Sequence, residues 1–176
     1  MIRYHRAVRL DPRQRKFLLR FVILLVVFFA LIYLPAVDAH VIVPFTRGLA
    51  TMSAGILNVI GEAVTVHGTV IQGSAFAVDI KGGCNGVEAM LLLCAAIAAF
   101  DAPWRARLLG LLAGSVALMG FNLIRIISLY MIGVRWRSVF ETFHLAIWQT
   151  IMFAVAASIF AFWSGRFASR HVAART

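Results

Sequence analysis

GGCNGVEA, residues 82–89, joins a water-exposed segment to a long apolar run that begins at Val87. Its glycines permit positive φ angles and a close approach by another backbone. A thiol at the start of a helix, here Cys84, faces unpaired N–H groups and the positive end of the helix dipole, which favour the thiolate. The alternative is an ordinary loop-to-helix turn, because a free cysteine usually packs as a small apolar side chain. Other polar groups that converge on this turn would favour the reactive thiol.

The composition is that of an integral membrane protein. Of the 176 residues, 62% are hydrophobic, whereas soluble domains rarely exceed about half. The net charge of +10 is assigned to basic segments that flank membrane spans, and no basic and aromatic surface suited to nucleic acid stands out. The first apolar segment starts at Phe17 and has no small-residue cleavage pattern, so it is expected to be a retained anchor.

The predicted fold is an all-α integral membrane protein with four transmembrane helices. A helix of about 20 apolar residues spans the hydrocarbon layer of about 30 Å. The predicted spans cover residues 17–37, 87–103, 108–133 and 142–163.

Two segments between the first two predicted spans have a different character. Residues 41–60 carry apolar side chains at helical spacing, which predicts an amphipathic helix lying in the membrane interface. The apolar stripe consists of Phe45, Leu49, Met52, Ile56, Val59 and Ile60. Residues 62–80 are rich in strand-forming residues in near alternation, with glycines between them, which predicts a small exposed β-element of two or three strands.

The distribution of basic residues orients the chain, because cytoplasmic segments carry an excess of Lys and Arg. Four spans place both termini and the 101–107 loop in the cytoplasm, together with 12 of the 17 basic residues. The predicted organisation is a basic cytoplasmic tail (1–16), a membrane-embedded domain (17–163) with an extracytoplasmic insertion (41–85), and a second basic cytoplasmic tail (164–176).

This topology places three reactive side chains at the outer boundary of the membrane. Cys84 precedes the second span, Arg125 lies about 27 Å along the third span from its cytoplasmic end, and His144 opens the fourth span. A thiolate attacks a carbonyl, a histidine moves protons, and an arginine stabilises a developing oxyanion. The three residues are therefore the candidate catalytic set for acyl transfer through a thioester. Their non-catalytic alternatives are an interfacial anchor for Arg125 and an interfacial polar tip for His144.

Further candidates for substrate binding or support surround this set. They are Asn85, Gly86, Glu88, Asn122 and Glu141. Asn122 precedes Arg125 by one helical turn and is placed to hydrogen-bond either that side chain or the substrate. Glu141 lies three residues before His144 and can hold it on the same helix face. Glu88 either pairs with Arg125 or supports the turn.

The cysteine pattern predicts neither a disulfide nor a cofactor site. Cys84 and Cys94 would lie about 15 Å apart along one helix, too far for a disulfide. The chain has no CxxC motif, so neither a zinc site nor a redox pair is indicated. No metal and no cofactor are predicted.

The ordered set Cys84-Asn85-Gly86, Asn122–Arg125 and His144 resembles the exosortase/archaeosortase family over roughly residues 40–163. The stretches 82–89, 122–125 and 143–149 are most similar to the exosortase H subgroup. Asn85 stands where many exosortases carry serine.

The resemblance implies a cysteine transpeptidase or protease embedded in the cytoplasmic (inner) membrane, with its active site on the outer side. Cys84 would be the nucleophile, Arg125 the stabiliser of the oxyanion or thiolate, and His144 the proton-transfer residue. The implied partners, besides membrane lipid, are exported proteins with a C-terminal sorting signal. Such a signal comprises a short recognition motif, a transmembrane helix and a basic tail. No nucleic-acid partner is expected.

Three alternatives from other classes stay open. A small non-enzymatic channel or transporter would use Arg125 as a selectivity charge, although the spans lack the paired broken helices of many transporters. A haem-binding membrane cytochrome usually needs histidine pairs within its spans, and only His144 lies near one. The third alternative is a purely structural membrane partner.

Overall fold

The computed structural model describes residues 11–173, and their side chains as far as Arg166. Within this range the protein is mostly helical and contains one small sheet. Residues 1–10 of the first predicted tail, and the side chains of the second predicted tail beyond Arg166, lie outside the part of the chain that the structure describes.

Helix α1 (Pro12–Ile32) contains most of the first predicted span and begins within the predicted basic tail. Asp11 caps it. The Asp11 carboxylate accepts a hydrogen bond from the Arg13 N–H at 3.3 Å, and the Asp11 N–H donates to the Gln14 side chain at 3.0 Å. This reciprocal pair is a capping box, and Pro12 at the first helical position needs no hydrogen-bond acceptor. Part of the predicted tail is therefore the first turn of the helix.

The chain bends at Pro35. A short helix α2 (Pro35–Val37), a π-helical turn (Asp38–Ile42) and helix α3 (Val43–Val59) follow one another. Together they are bent by 71° from α1. Proline disfavours a helical conformation in the residue before it, and Leu34 is extended. The predicted helix near residues 41–60 is present as α3, and its position in the membrane interface stays a prediction.

The face of α3 that packs on the protein differs from the predicted apolar stripe. Its buried side chains are mostly small or polar: Thr46, Leu49, Ala50, Ser53, Ala54 and Leu57. Of the predicted stripe only Leu49 is buried, whereas Met52, Ile56, Val59 and Ile60 are exposed. The large apolar side chains of the stripe thus face away from the protein, which is compatible with the predicted position of this helix in the membrane interface. Small residues allow a close approach between helices, and large apolar ones are stable facing lipid.

The predicted β-element is a three-stranded antiparallel sheet. Strands β1 (Thr65–His67), β2 (Val70–Gln72) and β3 (Ala77–Asp79) lie in sequence order, and Val66, Ile71 and Val78 are in register across them. Ile71 is fully buried, so this row faces the protein. β3 ends five residues before Cys84 and delivers the chain to the turn.

Helices α4 (Val87–Ala99), α5 (Trp104–Arg135) and α7 (Trp148–Ala173) form the rest of the chain. Between α5 and α7 lie a 3₁₀ turn (Arg137–Val139), helix α6 (Phe140–Thr142) and a π-helical turn (Phe143–Ile147). Helix α4 packs against α1, α5 and α7. A central position for α4 explains why it is apolar on all sides.

The described chain contains two or three candidate membrane spans. Helix α5 and the helical run Arg137–Arg166 are each long and apolar enough, and the bent pair of α1 with α2–α3 is the third. Helix α4 has 13 residues, which gives a length of about 20 Å against a hydrocarbon layer of about 30 Å. An integral membrane protein is therefore supported, and the fourth span stays a prediction.

The sheet is joined to α5 through two glycines. A Cβ atom added at Gly133 of α5 would collide with the Phe76 ring, and one added at Gly73 would collide with the Tyr130 hydroxyl. The Phe76 ring also packs edge-on against Tyr130, with ring centroids 6.2 Å apart. These close contacts fix the sheet, and the chain that leads from it to Cys84, over the end of α5.

Replacing Gly133 with alanine should destabilise the protein, because the new methyl group must displace the Phe76 ring. Overpacking of this kind costs about 1–3 kcal/mol. Gly120→Ala in the same helix is the matched control, since a Cβ there meets nothing within 4 Å. Thermal unfolding in detergent should show a lower midpoint for Gly133→Ala alone. Equal midpoints for the two variants would contradict the close packing of the sheet on α5.

Candidate active site

The turn that carries Cys84 is closed by its own backbone and by Glu88. The N–H groups of Cys84 and Asn85 both donate to the Lys81 carbonyl, at 2.9 and 3.1 Å. The Gly83 N–H donates to the Glu88 carboxylate at 2.7 Å. Gly83 and Gly86 have φ angles of 81° and 77°, which glycine adopts without strain. Among the described residues Glu88 forms no ion pair with Arg125, so its observed role is to support the turn.

Asn85 connects the turn to two helices. Its side-chain oxygen accepts from the Val87 N–H at 3.1 Å, in the first turn of α4. Its Nδ2 donates to the Thr46 hydroxyl of α3 at 3.2 Å, and that hydroxyl donates to the Ile42 carbonyl at 2.8 Å. Asn85 is buried, and these bonds engage both ends of its amide. The predicted supporting residue Asn85 therefore holds the turn against α3.

Asn122 lies directly against Gly86. A Cβ atom added at Gly86 would be 2.8 Å from Cγ and about as close to both polar atoms of the Asn122 amide. The Asn122 side chain is fully buried, and neither its Nδ2 nor its Oδ1 has a hydrogen-bond partner among the described residues. An amide buried in this way is costly unless a polar group binds it. Asn122 is thus a free donor and acceptor next to the turn.

Arg125 is the second incompletely bonded group, one helical turn beyond Asn122. It is 1% exposed. Its Nη2 donates to Oε1 of Gln149 on α7 at 3.2 Å, whereas Nε and Nη1 have no partner among the described residues. Its charge acts on both Cys84 and Glu88. The arrangement presents unused guanidinium donors, together with the Asn122 amide, in a buried region beside the thiol.

Burial dominates the electrostatics of Cys84. The thiol is 2% exposed, and loss of solvation raises its pKa above the ordinary value of a thiol. The positive charge of Arg125 opposes this rise in pKa, and the negative charge of Glu88 adds to it. A thiol with a raised pKa is protonated at neutral pH, so nucleophilic attack by Cys84 requires a base that takes its proton.

His144 lies in the π-helical turn between α6 and α7. Its ring stacks on Phe140 with centroids 5.5 Å apart, and its Nδ1 is 4.0 Å from the exposed Glu141 carboxylate. No hydrogen bond joins His144 to Cys84 or Arg125 within the described part of the chain. The side chain is 28% exposed, so it is accessible from outside the protein.

The structure thus brings some of the predicted residues into one place and leaves others beside it. Cys84, Asn85 and Gly86 lie on the turn, with Asn122 against Gly86 and the charges of Arg125 and Glu88 acting on the thiol. His144 and Glu141 form a separate pair in the segment before α7.

Two contacting residues were missing from the predicted site. Gln149 binds Arg125 and Thr46 binds Asn85. A polar residue within an otherwise apolar segment is the sequence signal for Gln149. Thr46 carries no comparable signal.

A comparison of the chain with known protein families gave a match. The family model described as transmembrane exosortase (Exosortase_EpsH) matches residues 12–162. The match covers most of the chain and includes every side chain of the site. The search of curated proteins and the search of solved structures gave no match.

Removing the charge of Arg125 and removing the charge of Glu88 should shift the pH midpoint of Cys84 alkylation in opposite directions. Arg125→Gln removes the positive charge that lowers the thiol pKa, so the midpoint should rise. Glu88→Gln removes the negative charge that raises the thiol pKa, and the new amide oxygen can still accept from Gly83, so the midpoint should fall. The rate of iodoacetamide labelling against pH measures both effects, in a Cys94→Ala background with a single thiol. Unchanged midpoints in both variants would show that these charges do not act on Cys84.

Proposed function

This chain belongs to the transmembrane exosortase family, and we propose that it is a membrane-embedded cysteine transpeptidase or protease that cleaves C-terminal sorting signals of exported proteins. The observation that carries the proposal is the pair of buried, incompletely bonded side chains beside the Cys84 turn. The N–H groups of Arg125 and Asn122 that have no partner need a hydrogen-bond acceptor. The carbonyl oxygen of a scissile peptide bond is such an acceptor.

In the proposed reaction Cys84 attacks the scissile carbonyl and His144 takes the thiol proton. The oxygen becomes negative in the tetrahedral intermediate and is bound by Arg125 and by the amide N–H of Asn122. Donors aligned in a water-excluded site stabilise such a charge strongly. The C–N bond then breaks, and His144 passes the proton to the departing amine. The products of this step are a thioester on Cys84 and the released C-terminal fragment.

The second half of the reaction frees the enzyme. An amine acceptor or a water molecule attacks the thioester carbonyl, and His144 takes a proton from that nucleophile. The C–S bond breaks, and Cys84 regains its proton. An amine gives transpeptidation, and water gives hydrolysis.

The proposed orientation places both termini in the cytoplasm and the Cys84 turn at the outer face of the cytoplasmic membrane. The basic N-terminal segment and the arginines of the 101–107 loop support this orientation through the positive-inside rule. A substrate anchored by its own helix would keep its basic tail in the cytoplasm. Its recognition motif would then reach the turn from the outer side. The insertion 41–85, with α3 and the sheet, would cover the site and select that motif.

The remaining predicted residues have supporting roles in this proposal. Asn85 and Glu88 hold the turn that carries the thiol in its observed conformation. Gly86 leaves room for the Asn122 amide, since any side chain there would displace it. Glu141, whose carboxylate lies 4.0 Å from Nδ1 of His144, orients the His144 ring.

Replacing Cys84 with alanine should abolish processing, because no thioester can form. The loss should be at least about 10³-fold, the scale for removal of a catalytic nucleophile. The assay is cleavage of a membrane-anchored substrate with a C-terminal sorting signal. Samples quenched with acid and separated on a gel would show the thioester between enzyme and substrate. Cys94→Ala, which removes the thiol in α4, is the matched control and should process normally. Full activity of Cys84→Ala would rule out the proposed nucleophile.

Removing the Asn122 amide should slow turnover while leaving substrate binding nearly intact. Asn122→Leu has similar volume and no donor, and loss of one oxyanion donor lowers kcat by about 10²–10³-fold. KM should change little, because the donor acts mainly on the charge that develops in the transition state. Ile124→Ala, a neighbouring change at an exposed position, is the control. A rise in KM with unchanged kcat would place Asn122 in ground-state binding only.

A further inference from the structure

One hydrogen bond at the site, between Arg125 of α5 and Gln149 of α7, is not used in the reaction proposed above. Nη2 of Arg125 donates to Oε1 of Gln149 at 3.2 Å. Within the described residues this is the only hydrogen bond that the guanidinium makes, since Nε and Nη1 have no partner. Gln149 therefore contacts the group that the proposed reaction uses and leaves its other donors free.

We propose that Gln149 is a positioning residue that fixes the Arg125 guanidinium while leaving its charge and its Nε and Nη1 donors available for the scissile carbonyl. This inference rests on the proposed function for the identity of the reacting carbonyl. The contact itself is independent of that function.

A carboxamide suits this task better than a carboxylate. The guanidinium is planar and has five N–H donors in a fixed fork, so holding one nitrogen restricts the orientation of the others. A carboxylate at position 149 would also hold Nη2, but it would place a negative charge against Arg125 in a region of low dielectric. That charge would cancel much of the field that Arg125 exerts on Cys84. The neutral amide of Gln149 supplies the hydrogen bond without this cancellation.

The π-helical turn relates Gln149 to His144. In a regular α-helix, residues five apart are separated by about 1.4 turns and lie on clearly different faces. In a π turn the bonds run from residue i to i+5, as they do here from the Phe143 carbonyl to the Trp148 N–H. The turn Phe143–Ile147 therefore brings His144 towards the helix face that carries Gln149. One helical segment would then supply both the proton-transfer residue and the residue that positions the arginine.

Gln149→Glu tests whether the neutrality of this contact matters. The carboxylate keeps the hydrogen bond to Arg125 but weakens its field at the thiol, where Arg125 and Glu88 are the charged groups that act. The pH midpoint of Cys84 alkylation, measured in a Cys94→Ala background, should rise in Gln149→Glu. It should stay close to wild type in Gln149→Leu, which leaves the arginine charge in place. Thr150→Ala, at the next and exposed position, is the control and should match wild type.

Measuring kcat and KM distinguishes a positioning role of Gln149 from a purely structural one. Gln149→Leu should lower kcat by about 10- to 100-fold, the scale for a misplaced catalytic group, with KM within about twofold of wild type. Gln149→Glu should also lose kcat, despite keeping the hydrogen bond. A wild-type kcat for Gln149→Leu together with a wild-type alkylation midpoint for Gln149→Glu would overturn the proposal.

The two proposals fail in different ways. If the reaction does not proceed through Cys84, the Cys84→Ala variant keeps its activity. The alkylation midpoint of Gln149→Glu needs no substrate, so it tests the effect of residue 149 on Arg125 whatever the reaction is. A rise in that midpoint alongside an active Cys84→Ala would keep the positioning contact and reject only the proposed chemistry.

Discussion

The main physical constraint on this structure is a buried arginine whose guanidinium is only partly hydrogen-bonded. Arg125 is 1% exposed and lies in a long apolar helix, and only one nitrogen of its guanidinium has a partner among the described residues. A charge in such a position is expensive and is rarely retained without a function. The neighbouring Asn122 amide is buried with both polar atoms unpaired, which adds to the cost. The same free donors make the region complementary to an oxygen that becomes negative.

The rest of the protein holds a thiol next to this pair. The Cys84 turn is attached to α3 through Asn85 and Thr46, and to α4 through Glu88. It lies against α5 where Gly86 meets Asn122. The sheet fixes the incoming chain by its close contacts with Gly133 and Tyr130 of α5. Since each attachment involves a different element, the position of Cys84 relative to Arg125 depends on the packing of α3, α4, α5 and the sheet together.

The sequence predicted the residues whose burial costs free energy, such as a charge in an apolar helix. It did not predict which helix faces pack on protein, because apolar side chains are stable against lipid and against protein alike. Arg125 and Cys84 stood out because a charge in an apolar run and a thiol in a glycine turn are unusual, and the alternating residues 62–80 correctly predicted a sheet. The packed face of α3 was not predicted, because most of its buried side chains are small or polar and form no apolar stripe. Helix α4 was predicted to continue to residue 103, whereas it ends at Ala99, and Phe100 after it is extended. Gln149 was missed because its role depends on a contact between two helices.

The balance of charges at Cys84 decides which kind of cysteine mechanism the site can support. Burial raises the thiol pKa more than the Arg125 charge lowers it, and Glu88 acts in the same direction as burial. A preformed thiolate paired with an imidazolium, as in many soluble cysteine peptidases, is therefore disfavoured in the resting protein. The proposed mechanism instead requires His144 to take the proton as Cys84 attacks, so that charge separation develops only when a carbonyl is present to share it. Arg125 then acts on the oxyanion more than on the resting thiol, and a neutral partner such as Gln149 preserves its charge for that step.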